Sequence, residues 1–189
     1  MVKPSTHIQD AKIVAAALRV AGAAGWDKTT VDAVANAAKL TPALLKKRFA
    51  APVDLVPLIA EQIDREAFAA AGKSTGTPHD ILFDLLMARF DALQKNRKAV
   101  LSMEMSARQD RKLAGALACA TLDGIYRLID AAKFDTPLRP ILASGLGMVY
   151  GFAFFAWRRD DSRDLAKTMA ALDRALRWAG KAAALIQHS

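Results

Sequence analysis

Cysteine is nearly absent. Cys119 stands alone among 189 residues, which excludes an intramolecular disulfide and a cysteine-based zinc site and makes a reduced, cytoplasmic setting the simplest one. Histidine is almost as sparse: His7, His79 and His188 are far apart, and none lies beside a serine or cysteine at the spacing of a nucleophile and its base. No cluster of His, Cys and carboxylate recurs at ligand spacing, so neither a catalytic residue nor a metal nor a cofactor is expected. The glycines between Gly145 and Gly151 lack a phosphate-loop lysine and follow no strand. Nowhere does polarity alternate with period two, prolines are few, and Ala and Leu dominate; the class is all-α. Met1-Val2-Lys3-Pro4 leads into an amphipathic helix and not into an apolar export segment.

What is present is a basic excess with a definite location. The first fifty residues hold eight cations against three anions, a net +5 of the chain's +8. They also hold two short helical patterns. In the first, Thr29-Thr30 is a start signal and Val31, Val34, Ala35 and Ala38 follow at helical spacing. After Lys39-Leu40, Thr41 is placed as N-cap of a second helix with Pro42 at its first position, where a missing N–H costs nothing. Leu45 and Phe49 can face inward one turn apart, which sends Lys46, Lys47 and Arg48 outward. A short helix with a cationic outer face suits the major groove of double-stranded DNA, and cations along one face release counterions from the duplex. The expected phosphate contacts are Lys39, Lys46, Lys47 and Arg48, with Thr30 at the same surface. Thr41, Pro42, Ala43 and Leu44 are expected near the base edges, where short apolar side chains touch thymine methyls but make no bidentate hydrogen bond.

A long first helix, the Gly25-Trp26 joint, Thr29-Thr30-Val31, the capped short helix and Phe49 before a Pro- and Asp-containing turn together resemble the DNA-binding domain of TetR-type transcriptional regulators. The resemblance covers about the first sixty residues. It departs at three places: Lys39 stands where the family usually has glycine, Lys46 where it has tyrosine, and Arg48 where it has histidine. Lys39 carries a steric penalty of about 1 kcal/mol if the turn is left-handed. The resemblance implies a TetR-like fold of about nine helices, with a three-helix helix-turn-helix domain over 1–52 and a helical ligand-binding and dimerisation domain over 53–189. It implies a homodimeric repressor whose small-molecule effector lowers DNA affinity.

The rest of the chain reads as further helices. Asp54 to Ala71 is one; Thr77-Pro78-His79-Asp80 opens a second that ends near Lys95; Asn96 caps a Met-rich third; Arg111 to Lys133 is a fourth, and Thr136-Pro137 starts another. From Ile141 to Trp157 no residue is charged, but the run is shorter than the roughly twenty residues of a membrane span, and burial in the body or against a second subunit is expected instead. The glycines in this run suit close helix packing. Leu165, Met169, Leu172, Leu176, Ala179 and Ala183 alternate spacings of three and four, a heptad seam that, with Met148 and Phe152, is assigned to the dimer interface. Phe83, Met87, Phe90, Met103, Met105, Tyr126, Tyr150 and Phe155 supply soft and aromatic surface for an apolar or lipid-like effector.

A second resemblance competes with the first. Leu82 to Leu93, Asp160-Asp161-Ser162-Arg163-Asp164-Leu165 and Leu172-Asp173-Arg174 look like the accessory lipid-binding family of coenzyme Q biosynthesis, itself of TetR-like fold. It implies a lipid carrier in place of a regulator. The same residues also read as ordinary helix caps and solvent-facing charges.

Overall fold

A computed structural model describes the backbone of residues 4–72, 75–134 and 138–187, with side chains placed between Gln9 and Lys181. Among the described residues there are nine α-helices and no strand: α1 (Pro4–Ala24), α2 (Val31–Ala38), α3 (Pro42–Arg48), α4 (Val56–Ala71), α5 (Pro78–Lys95), α6 (Arg97–Ala107), α7 (Arg111–Ala131), α8 (Arg139–Trp157) and α9 (Ala166–Gln187). The Thr136-Pro137 start, the Ala183 and His7 side chains, and His188 lie outside the described residues. The chain forms two compact units, one of Met1–Arg65 with Ala92–Ala120 and one of Glu66–Asp91 with Thr121–Ser189.

In the first unit α1 is the backbone on which α2 and α6 pack, and α2 carries α3. Ile13, Val14, Ala17 and Leu18 are buried along α1 at helical spacing. The chain leaves α1 through Gly25, whose φ of 93° suits glycine, and a Cβ there would fall 2.6 Å from Asp27 Oδ1. Trp26 then buries itself in a 3-10 turn (Trp26–Lys28), and the Thr29 hydroxyl donates to the Gly25 carbonyl at 3.0 Å. On the other side α6 comes close to α1: a Cβ on Gly22 would lie 3.6 Å from the Ala99 nitrogen, and the Ser102 hydroxyl is 3.3 Å from the Ala21 carbonyl.

In the second unit α5 opens with a reciprocal cap. Thr77 Oγ1 accepts from the Asp80 N–H at 3.3 Å, and the Asp80 carboxylate accepts from the Thr77 N–H at 3.0 Å. The Thr77 hydroxyl also donates to the same carboxylate at 2.7 Å, and this bond, with that of the Thr77 N–H, holds the exposed Asp80 carboxyl below the usual carboxylate range. Phe90 stacks on Tyr150 of α8 with ring centroids 5.5 Å apart, and the Arg89 guanidinium lies 4.7 Å from the centre of the same tyrosine ring. Helix α9 packs along α8.

The turn between them is fastened by Asp160. This carboxylate is fully buried and accepts from the Ser162 N–H (3.1 Å), the Ser162 hydroxyl, the Thr168 N–H (2.7 Å) and the Thr168 hydroxyl (2.8 Å). Burial pushes its pKa up, the four hydrogen bonds push harder the other way, and the net is a value lowered to about 2. Ser162 Oγ in turn accepts from the Ala166 N–H at 3.0 Å, which caps α9. The motif that suggested a lipid carrier is thus a helix-capping turn.

Helix α8 is buried on one side only within the chain. Ala143, Leu146, Val149, Tyr150, Ala153 and Trp157 are buried on one side, whereas Ile141, Met148, Phe152 and Phe155 on the opposite side are more than half exposed. Among the described residues, Cβ atoms built on Gly145, Gly147 and Gly151 meet no atom within 4 Å beyond their chain neighbours and the backbone of their own helix. By length and composition, with mean hydropathy 1.5, α8 is long and apolar enough to cross a membrane.

Candidate nucleic-acid interface

The helix-turn-helix is set by local chemistry. Thr30 caps α2, its hydroxyl accepting from the Ala33 N–H at 3.1 Å. Lys39 ends the helix in the left-handed conformation (φ 57°, ψ 42°) and donates its N–H to the Asn36 carbonyl, while the Leu40 N–H reaches the Ala35 carbonyl at 2.9 Å. The penalty anticipated for a lysine at this turn is therefore present. The Arg19 guanidinium of α1 donates to the Ala37 carbonyl at 2.6 Å and so closes the end of α2 from outside.

Helix α3 follows with Pro42 in its first turn and Thr41 at the N-cap position. The Thr41 hydroxyl makes no cap bond, which leaves it available at the surface. Leu45 and Phe49 are buried as expected and fix how the helix rolls on its support. Ala43, Leu44, Lys46, Lys47 and Arg48 are exposed, and Pro42 is half-buried.

The cations divide in a way that spacing did not reveal. Arg48 makes two parallel hydrogen bonds to the carboxylate of Asp10 on α1, the Nη2–Oδ2 bond measuring 3.1 Å, and its guanidinium lies 4.9 Å from the Phe49 ring centre. Donating to the Asp10 carboxylate raises the Arg48 pKa above its ordinary value. Arg48, expected as a phosphate contact, is thereby a clamp between α3 and α1. Lys46 Nζ lies 2.7 Å from Asp32 Oδ2 on α2, with both side chains about half exposed. A pair so exposed is worth at most about 1 kcal/mol, so Lys46 can exchange its carboxylate for a phosphate. Lys28, Lys39 and Lys47 are exposed and have no partner among the described residues. Asp10 and Asp32 belong to the site although nothing in the sequence pointed to them: Asp10 precedes Arg48 by 38 residues, and no local pattern links the two.

The residues assigned to assembly and ligand are placed as follows. Leu165, Leu172 and Leu176 are buried within the chain, so they have little surface left for a second copy. Met169 is 41% exposed and Ala179 half-buried. Met148 and Phe152 are exposed. Of the aromatic and methionine set, Phe90, Tyr150 and Met103 are buried, and Phe83, Met87 and Tyr126 are half-buried. Met105 and Phe155 are more than half exposed, with the Arg159 guanidinium 3.8 Å from the Phe155 ring centre, so neither is placed as the wall of an enclosed site would be.

A helix-turn-helix on a long first helix, together with a larger set of helices, defines the class: an all-helical protein of helix-turn-helix type. Residues 13–56 match the family model described as bacterial regulatory proteins, tetR family, and the chain has the fold of TetR-family transcriptional regulators. It is similar to the TetR transcriptional regulator from Nitrosomonas europaea ATCC 19718, with 21% identity and a TM-score of 0.73 over 90% of this chain and 97% of that one. It is similar to a TetR transcriptional regulator from Rhodococcus sp. RHA1, at 16% identity and TM-score 0.66, covering 93% and 97%. It also resembles the multidrug binding protein EbrR, solved with imidazole, at 23% identity and TM-score 0.55, covering 92% and 90%. No curated protein matches the sequence. The lipid-carrier alternative finds no support in these likenesses, and its capping turn at Asp160 is accounted for by structure.

Proposed function

We propose that the protein is a homodimeric, cytoplasmic DNA-binding repressor released by an apolar small molecule. The observation that carries the DNA-binding part is the outer face of α3. Buried Leu45 and Phe49 hold Ala43, Leu44 and Lys47 in solvent, and Lys39 stands free in the turn beside them. Cations so placed attract phosphates, and the short helix suits the major groove.

Residues 1–52 read DNA in this proposal and residues 53–189 dimerise and bind effector. The exposed apolar side of α8, with three glycines that no described side chain covers, supports a helical-bundle contact with a second copy. A two-fold dimer places two α3 helices for successive half-sites of a palindrome. The half-buried Phe83, Met87 and Tyr126 supply adaptable surface for the effector, and the likeness to a multidrug binding protein supports a body that takes small molecules. Release is by linkage: the effector binds better to a body conformation in which the two α3 helices no longer match the half-site spacing.

The test is selection of genomic fragments by the purified protein at about physiological salt, with sequencing of what is retained. Enrichment of a palindrome supports the proposal. Retention without sequence preference, or none, refutes it.

A further inference from the structure

The outer face of α3 is poorer in hydrogen-bonding groups than its sequence suggests. Successive helical residues turn by about 100°, so with Leu45 buried, Ala43 and Lys47 lie opposite the core, with Leu44 and Lys46 on the two shoulders. Arg48 is at the edge toward α1, held by Asp10, and Lys46 is engaged by Asp32 of α2. What remains at the centre is one uncommitted donor, Lys47, beside two side chains that neither donate nor accept.

Leu44 is the largest of these apolar surfaces, at 59% exposed. In the major groove the group that rewards an aliphatic side chain is the C5 methyl of thymine; the other base edges present donors and acceptors that a leucine would strip of water without replacement. We infer that Leu44 is the specificity determinant of α3 and reads a thymine methyl in each half-site, with Ala43 extending the same apolar contact. The inference rests on the DNA-binding proposal and adds what the DNA must contain: thymine at a fixed position of each half-site.

The experiment uses the full-length protein and the selected palindrome, with each half-site thymine replaced in turn by uracil. Uracil keeps every hydrogen-bonding group of thymine and lacks only the methyl. At one or two positions per half-site the loss of a buried methyl is expected to weaken binding about fourfold per half-site. Leu44→Ala, a change at an exposed side chain, should abolish the thymine–uracil difference at its position and leave the slope of affinity against salt unchanged. A palindrome bound equally with thymine or uracil at every position overturns the inference and leaves the regulator reading standing. So does a Leu44→Ala protein that still discriminates. If no palindrome is retained, the DNA-binding proposal fails and the inference falls with it.

Discussion

Replacing Lys39 by glycine sets protein stability and DNA affinity moving in opposite directions. Lys39 sits at φ 57° and ψ 42°, where the Cβ of an L-residue crowds the following carbonyl at a cost of about 1–2 kcal/mol. Glycine removes that cost and adds back about 0.4–1 kcal/mol through the greater freedom of the unfolded chain. The net is about 0.5–1 kcal/mol in favour of the variant, and for a chain of this size 1 kcal/mol corresponds to a rise in Tm of about 2–4 °C. The same change deletes an exposed cation beside α3. If Lys39 meets a phosphate, the slope of log affinity against log salt becomes shallower by about 0.9. Thermal unfolding and binding titrations between about 50 and 200 mM salt read the two effects separately. Lys39→Ala is the control, since it loses the charge and keeps the strain: its slope should match that of Lys39→Gly while its Tm shows no gain. A Lys39→Gly protein that melts no higher than Lys39→Ala refutes the strain argument, and an unchanged salt slope in both refutes the phosphate contact.

Three further outcomes are expected. Arg48→Ala should leave the salt slope unchanged while lowering stability by about 1–2 kcal/mol, because it strands the nearly buried Asp10 carboxylate; a double-mutant cycle with Asp10→Asn in denaturant melts reads the coupling, and Lys47→Ala should instead flatten the slope by about 0.9. Asp160→Asn should cost about 2 kcal/mol at pH 7, from a carboxyl lowered to about 2. The folded pKa lies below the unfolded value, so the contribution is complete above pH of about 4 and is lost as pH falls through about 2; a gap between wild type and variant that stays constant through that window would refute the account. Met148→Arg with Phe152→Glu, placed on the open side of α8, should yield a monomer by sedimentation and abolish binding to a palindrome while each chain stays folded by circular dichroism.

Local rules made most of the fold legible. The Thr30 cap, Pro42 in the first turn of α3, the Thr77–Asp80 reciprocal cap and the inward pair Leu45 and Phe49 all lie within four residues of what decides them. Partner choice among charges was not legible. Lys46 and Arg48 look alike in a run of cations, yet one faces Asp32 and the other Asp10, and only the packing of α1, α2 and α3 decides which acid each meets. The three–four repeat of the last helix is limited in a related way: it marks an apolar stripe without saying what covers it, and Leu165, Leu172 and Leu176 are already buried within the chain while Met169 is 41% exposed. In the uncharged run, equal hydropathy all round left unsaid which side of α8 the chain itself buries.

The contact between α1 and α6 bears on how such proteins can be recombined. Gly22 lies against Ala99 and the Ala21 carbonyl receives the Ser102 hydroxyl, so a segment about eighty residues downstream completes the surface of the first helix. A chimaera that grafts residues 1–52 onto a foreign body would bring the α3 face without the helix that covers its support. Transplanting the proposed DNA-reading face of this chain therefore calls for exchange of Arg97–Ala107 along with the N-terminal helices.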